Sequence, residues 1–191
     1  MRHRRALRSE ELDQPRSRRR RARDRGAALL EFALIAPLFF FVVFGGIEIG
    51  LLFRSHLAVE DASRTAARVA SVERDNATAD QAILERIEQL TRNLNGEVTK
   101  VVIFNAETLA SEIPDDCLTA SRAGICNYYE TTDGDVGALA SGSLETALMP
   151  ENRQQFENLG IFIEYEYQFV TGFFDSTTLD STSVEVVELD L

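Results

Sequence analysis

The sequence predicts an α+β protein. A long N-terminal helix crosses a membrane, continues outside it as a stalk, and is followed by a small antiparallel-sheet extracytoplasmic head. Three observations carry this expectation. Leu29–Phe53 (LLEFALIAPLFFFVVFGGIEIGLLF) is a 25-residue apolar run with two charges, Glu31 and Glu48. Small apolar residues then recur at helical spacing from Ala58 to Ala70. Alternating patterns follow in Glu97–Phe104, Ile161–Val170 and, less strictly, Ser183–Leu189.

The first element is a basic tail. Residues 1–25 hold 11 Arg against four acids, and residues 26–191 hold nine basic against 27 acidic groups, in a chain of net charge −11. Such a split argues against a uniformly basic nucleic-acid-binding domain, and no nucleic-acid partner is expected. Arg16–Arg25 could be read as a nuclear-localisation patch. Beside an apolar span it reads better as the charge that keeps this end in the cytoplasm.

The apolar run comes next. As a helix it is roughly 37 Å long, enough for a hydrocarbon core of about 30 Å. A buried core helix is the alternative; the length of the run argues against it, and FFFVVF within it offers no polar face. A secretory signal would have a shorter apolar region and a small-residue cut site after it, whereas FRSHLAVEDA follows here. Glu31 lies about one and a half turns into the helix, where an ionisable group defaults to a functional reading. Glu48 is expected near the outer surface, reaching water. Pro37 removes a backbone donor and can kink the helix. Gly45, Gly46 and Gly50 leave room for a second helix.

Beyond the span, Ala58, Ala62, Ala66, Val69 and Ala70 line one helical face, with Arg64 and Arg68 opposite. A second helix is expected over Thr78–Asn93, with Ile83, Ile87 and Leu90 inward and Thr78 or Asp80 as cap. Asn95-Gly96 marks a turn. Glu97–Phe104 is the first strand. Ile161–Val170 sets Ile161, Ile163, Tyr165, Tyr167 and Phe169 on one face. Gly172–Asp175 and the Ser/Thr run after it are expected to connect to a terminal strand at Ser183–Leu189. Residues 105–158 show no clear element. They hold Cys117 and Cys126, which an oxidising compartment would join, the alternative being two free thiols. Thr131–Asp135 faintly resembles a calcium loop but lacks its further carboxylates and reads better as a glycine turn. The expected organisation is thus a basic cytoplasmic leader (1–26), a transmembrane helix (27–53), a helical stalk with the second helix (54–93), and an α+β head (94–191).

No nucleophile elbow, HExxH, P-loop or dinucleotide fingerprint is present. Neither an enzymatic activity nor a cofactor or metal is expected.

The junction Gly26-Ala27-Ala28-Leu29-Leu30-Glu31-Phe32 resembles the processing site of prepilin-like proteins, cut after a glycine that precedes a glutamate by five positions. The resemblance extends through Ala33, Pro37, Phe44, Gly45, Glu48, Gly50, Ala67, Arg68 and Ala70. Over about 47 residues the chain is similar to the TadE-like (TadE/TadG) pseudopilins of tight-adherence, Flp-type, pilus systems. TadG-like members carry a D-x-S-x-S metal site. Asp175-Ser176-Thr177-Thr178 and Asp180-Ser181-Thr182-Ser183 do not fit it, which favours the TadE type.

The resemblance implies a pilin-like fold and a non-catalytic minor pseudopilin in pilus assembly and secretion. It implies leader removal by a prepilin peptidase between Gly26 and Ala27. It gives Glu31 and Phe32 roles in helix assembly with other pilins, pseudopilins and the tight-adherence machinery. The membrane would be the inner membrane of a bacterial cell, crossed once, with membrane lipid as a further partner. The alternative is an uncleaved single-pass protein whose head binds an envelope partner. A second rival, a metal-assisted enzyme, would need Asp115, Asp116, Asp133 and Asp135 clustered around a pocket.

Overall fold

The computed structural model describes residues 14–73, 76–106, 112–131, 136, 148, 158–172 and 174–186, with side chains from Gly26 onward. The chain divides into two compact units, Met1–Ile47 and Glu48–Leu191. In the first, the described residues belong to helix α1, Gln14–Val72, and their large apolar side chains are exposed.

In the second unit α1 gains a buried face. Glu48, Ser55, Val59, Ala62, Ser63, Ala66, Ala67 and Ala70 are buried there, at the 3–4 spacing of one helical stripe. The expected face was slightly misaligned: Val59 rather than Ala58 turns inward, and Ser63 and Ala67 join it. The small side chains let α1 lie close against a sheet. Arg64 and Arg68 sit outside; Arg64 pairs with Glu60, and Arg68 reaches Glu185 at 3.5 Å.

Helix α2, Ala79–Thr91, buries Ile83, Leu84 and Ile87. Thr78, one of the two expected caps, holds the N-cap position without a side-chain cap bond, and Asp80 does not cap. The Asn76 side-chain oxygen accepts from the Thr78 amide at 3.1 Å and its hydroxyl at 3.0 Å. Asp80 turns into the core. Its carboxylate accepts from Asn127 Nδ2 and from the Tyr129 hydroxyl, both at 2.7 Å. Asn127 in turn bonds both backbone groups of Leu148. A buried carboxylate needs such partners, and these tie α2 to the sheet.

Four antiparallel strands, β1 (Gly96–Asn105), β2 (Cys126–Glu130), β3 (Asn158–Tyr167) and β4 (Thr177–Val186), lie in the order β2-β1-β3-β4. A register shift between Val98 and Lys100 breaks the two-residue period of β1. Val98, Val101 and Ile103 therefore share the face that meets α1, α2 and the inward side chains of β3. Val102 and Phe104 face the other way, into a smaller cluster with Phe162, Cys117 and Cys126. Gly160 makes room in that cluster: a Cβ there would lie 2.2 Å from the Phe104 ring.

Three sequence expectations are corrected here. Strand β3 starts three residues before Ile161 and ends at Tyr167. Gln168 leaves the ladder because Asn95 takes its backbone: its amide donates to Asn95 O at 3.0 Å, and Asn95 Nδ2 donates to its carbonyl. The Ser/Thr run is not a connection but the body of β4. Its partner surface is polar: Ser63 of α1 bonds Ser181 at 2.8 Å and Ser183 at 3.1 Å. Leu179 still packs on the main core and Val184 on the smaller one, but hydroxyl pairs at Ser181 and Ser183 interrupt the apolar alternation that would mark the strand. Residues 187–189 of the expected terminal strand lie outside the described residues. Strand β2, with the 3₁₀ turn at Asp115–Cys117, arises from the stretch where no element was expected.

Candidate functional site

The junction Gly26–Phe32 lies in the first unit. Gly26 is helical, and a Cβ added there would meet nothing within 4 Å. Ala27, Glu31 and Phe32 are all exposed. Ala27 and Glu31 are one turn apart on the same helical face. Glu31 has no hydrogen bond or ion pair among the described residues, since neither kind of contact includes it. Leu29, Leu30, Leu34, Leu38 and Phe41 are likewise exposed. Helix α1 continues through Pro37. Gly26–Val72 contains a window long and apolar enough to cross a membrane, and none of that window is buried. Together these residues present an apolar cylinder with one unpaired carboxylate near its start. Added Cβ atoms at Gly45, Gly46 and Gly50 would also meet open space.

Glu48 lies in the second unit and does not reach water. It is 1% exposed. One carboxylate oxygen accepts from the Val170 amide at 2.6 Å, the other from the Thr171 amide at 3.1 Å. Two backbone donors satisfy a buried anion without a cationic partner. Tyr167 stands beside it. Burial, and then the Glu48 charge, raise the Tyr167 phenol above its ordinary value. Its hydroxyl has no hydrogen bond of ordinary geometry among the described residues, so the charge acts on it mainly through space. Reasoning on the span alone missed this contact. The missed signal was the stripe itself: stepping back from Ala62 and Val59 through Ser55 and Leu52 arrives at Glu48.

Cys117 and Cys126 are bonded to each other, with Cα atoms 6.1 Å apart. The bridge joins the 3₁₀ turn to the first residue of β2 and closes the smaller core. It lies at the far end of the sheet from Glu48. Cys126 pairs with Phe104 at the end of β1, whereas Tyr167, three residues before Val170, pairs with Gly96 at its start.

Among the described residues no group of three His, Cys, Asp or Glu side chains could hold a metal ion. Asp115 and Asp116 are exposed. Asp133 and Asp135, and with them most of the calcium-like stretch, lie outside the described residues.

Residues 26–68 match the family model described as TadE-like protein. The match begins at Gly26 and ends within the alanine stripe of α1. No curated protein matches the chain, and no solved structure does.

Proposed function

We propose that the chain is a TadE-like minor pseudopilin: a single-pass, membrane-anchored, non-catalytic component of tight-adherence pilus assembly. The observation that carries this reading is where the TadE-like match starts. It begins at Gly26, the residue at which the basic leader gives way to the apolar helix.

In this reading a prepilin peptidase cuts between Gly26 and Ala27. Glycine is the weakest point of a helix interior, costing about 1 kcal/mol relative to Ala, so the backbone can open locally for the peptidase. The exposed setting of Gly26 leaves it accessible. The cut removes the Arg-rich tail and creates an α-amine on Ala27, with a reference pKa near 8. Glu31 then serves assembly by pairing with the amine of a neighbouring subunit, and Phe32 packs against that neighbour's helix. The tail faces the cytoplasm and the head the extracytoplasmic side of the inner membrane. Lipid and other pilin helices share the exposed apolar surface.

N-terminal sequencing of the membrane-extracted protein tests the reading. The expected first residue is Ala27, and Gly26→Trp should leave the chain at full length, because a close backbone approach tolerates no side chain. A mature protein beginning at Met1 would favour instead an uncleaved anchor whose head serves an envelope partner, and normal processing of Gly26→Trp would overturn the role given to Gly26.

A further inference from the structure

We infer that the connection between β3 and β4 is a second membrane contact, with Val170 and Phe174 inserted at the boundary between headgroups and acyl chains. The inference rests on the membrane-anchor reading above and adds a lipid-facing surface to the head.

The placement comes from Glu48. A hydrocarbon core of about 30 Å takes about 20 helical residues. Counted from Leu29, those residues end at Glu48, and the apolar stretch Ile49–Phe53 falls at the interface. The hydrogen bonds from the Val170 and Thr171 amides to the Glu48 carboxylate hold the β3–β4 connection at that same level of the helix. A segment fixed there meets the bilayer boundary.

The side chains suit that position. Val170 is 62% exposed and Phe174 55% exposed. Ile49 and Phe53, at the same end of the span, are exposed as well. Phe174 is not a loose ring. Its centroid lies 5.4 Å from that of Phe169, which lies 5.2 Å from that of the buried Tyr167. This aromatic series runs from the core to the surface and presents the last ring outward, where an apolar ring can enter the headgroup–acyl boundary. Gly172 follows at φ +67, a backbone conformation that favours glycine.

The backbone suits it too. Away from bulk water each amide must find a partner, and Glu48 supplies one to Val170 and one to Thr171. Gln168–Ser176 contains no Lys or Arg, and its one ionisable residue is Asp175, so no cation is there to bind anionic headgroups. The insertion is therefore carried by the apolar side chains Val170 and Phe174, needs no anionic lipid and is expected to be insensitive to salt. A bilayer is favoured over a second protein chain because the surface is level with a helix whose own exterior is already apolar and exposed.

The chain has no Trp, so single tryptophans report cleanly. Three variants of the full chain, Phe174→Trp, Leu38→Trp and Ile125→Trp, are reconstituted in phosphatidylcholine bilayers. The lipids are brominated near the carbonyl end or near the methyl end of the acyl chain. Ile125 is exposed and lies at the disulfide end of the sheet, its carbonyl accepting from the Asn105 amide, nine residues along β1 from its start, or about 30 Å. Phe174→Trp is expected to emit to the blue of Ile125→Trp and to be quenched most by bromine near the carbonyl end, equally in high and low salt. Leu38→Trp should be quenched most by bromine near the methyl end, and Ile125→Trp by neither. If Leu38→Trp is quenched while Phe174→Trp emits as in water, the inference fails and the anchor stands. Blue-shifted Phe174→Trp emission that no brominated lipid quenches would also overturn it, in favour of a protein partner. Absence of quenching at Leu38→Trp would overturn the anchor reading and this inference with it.

Discussion

Replacing Glu48 by alanine should release the β3–β4 connection from α1. The carboxylate accepts two backbone hydrogen bonds, at 2.6 Å from Val170 and 3.1 Å from Thr171, and is almost fully buried. A hydrogen bond to a charged group contributes about 1.5–3 kcal/mol, and a stranded buried donor adds its own desolvation cost. Against this, removing the carboxylate relieves the cost of burying an anion and the unfavourable charge beside Tyr167. A net loss of about 3 kcal/mol follows, close to a hundredfold in a local opening equilibrium. Glu48→Gln keeps one acceptor oxygen but turns an amide donor toward the other N–H, so it should retain roughly half of the effect. Amide hydrogen exchange on the full chain in bilayers reads this directly. The Val170 and Thr171 amides should exchange about a hundredfold faster in Glu48→Ala, while the Val102 amide in central strand β1 keeps its protection. Wild-type exchange at both positions in Glu48→Ala would refute the reasoning, because it would mean that the carboxylate does not hold the connection.

Glu31→Gln should leave membrane insertion intact, since it lowers the cost of placing this residue in lipid, yet abolish pilus assembly; normal piliation on pilus counts would sink the proposed role. Non-reducing peptide mapping of protein isolated from cells should recover Cys117 and Cys126 as one linked fragment, and a Cys117→Ser/Cys126→Ser pair should lower head stability by about 2–3 kcal/mol, the loop-closure value for so short a loop. Gly160→Ala should destabilise the head by about 1–3 kcal/mol, the range for overpacking a close-packed core, with partial recovery when Phe104→Leu removes the ring that its Cβ strikes. Burial, followed by the influence of Tyr167 and Glu97, raises the Tyr165 phenol to about 12 from 10.0. The folded state thus holds this proton more tightly than the unfolded chain. Its stabilising contribution is complete below pH 10 and should fall away as pH rises toward 12, seen as cooperative unfolding that accompanies tyrosinate absorbance.

The elements that were legible in the sequence are those whose partners are apolar. The alanine stripe of α1, Ile83 and Ile87 of α2, and the inward side chains Ile161, Ile163, Tyr165 and Tyr167 all bury hydrocarbon against one core, and burial of that kind leaves a period. The misread elements bury polar groups against polar partners. Strand β4 packs through Ser181 and Ser183 on Ser63, and serine carries no periodic signal. Asp80 looks like a helix cap by position, but its partners Asn127 and Tyr129 lie 47 and 49 residues away. Strand β2 is five residues long and begins at a cysteine, too short for alternation to separate it from a loop. The end of β3 was overrun for a similar reason: Phe169 continues the apolar pattern, while the capture of its neighbours' backbone by Asn95 and Glu48 is a tertiary event.

The two glutamates of the apolar run show how one residue type at similar hydropathy reaches opposite ends. A carboxylate in an apolar segment must be neutralised, reach water or find donors. Glu48 finds its donors within its own subunit, in two amides that fold back to it from 122 and 123 residues later in the chain. Its charge is satisfied there and offers little to another molecule. Glu31 is exposed, and no described residue of its own chain pairs with it. Any compensation for its charge in the membrane must then come from outside the described fold. In the proposed function that compensation is an α-amine that exists only after cleavage, so an unprocessed neighbour could not supply it. The demand for a donor at Glu31 would thereby make assembly depend on processing, whereas the Glu48 contact would form in the precursor and the mature chain alike.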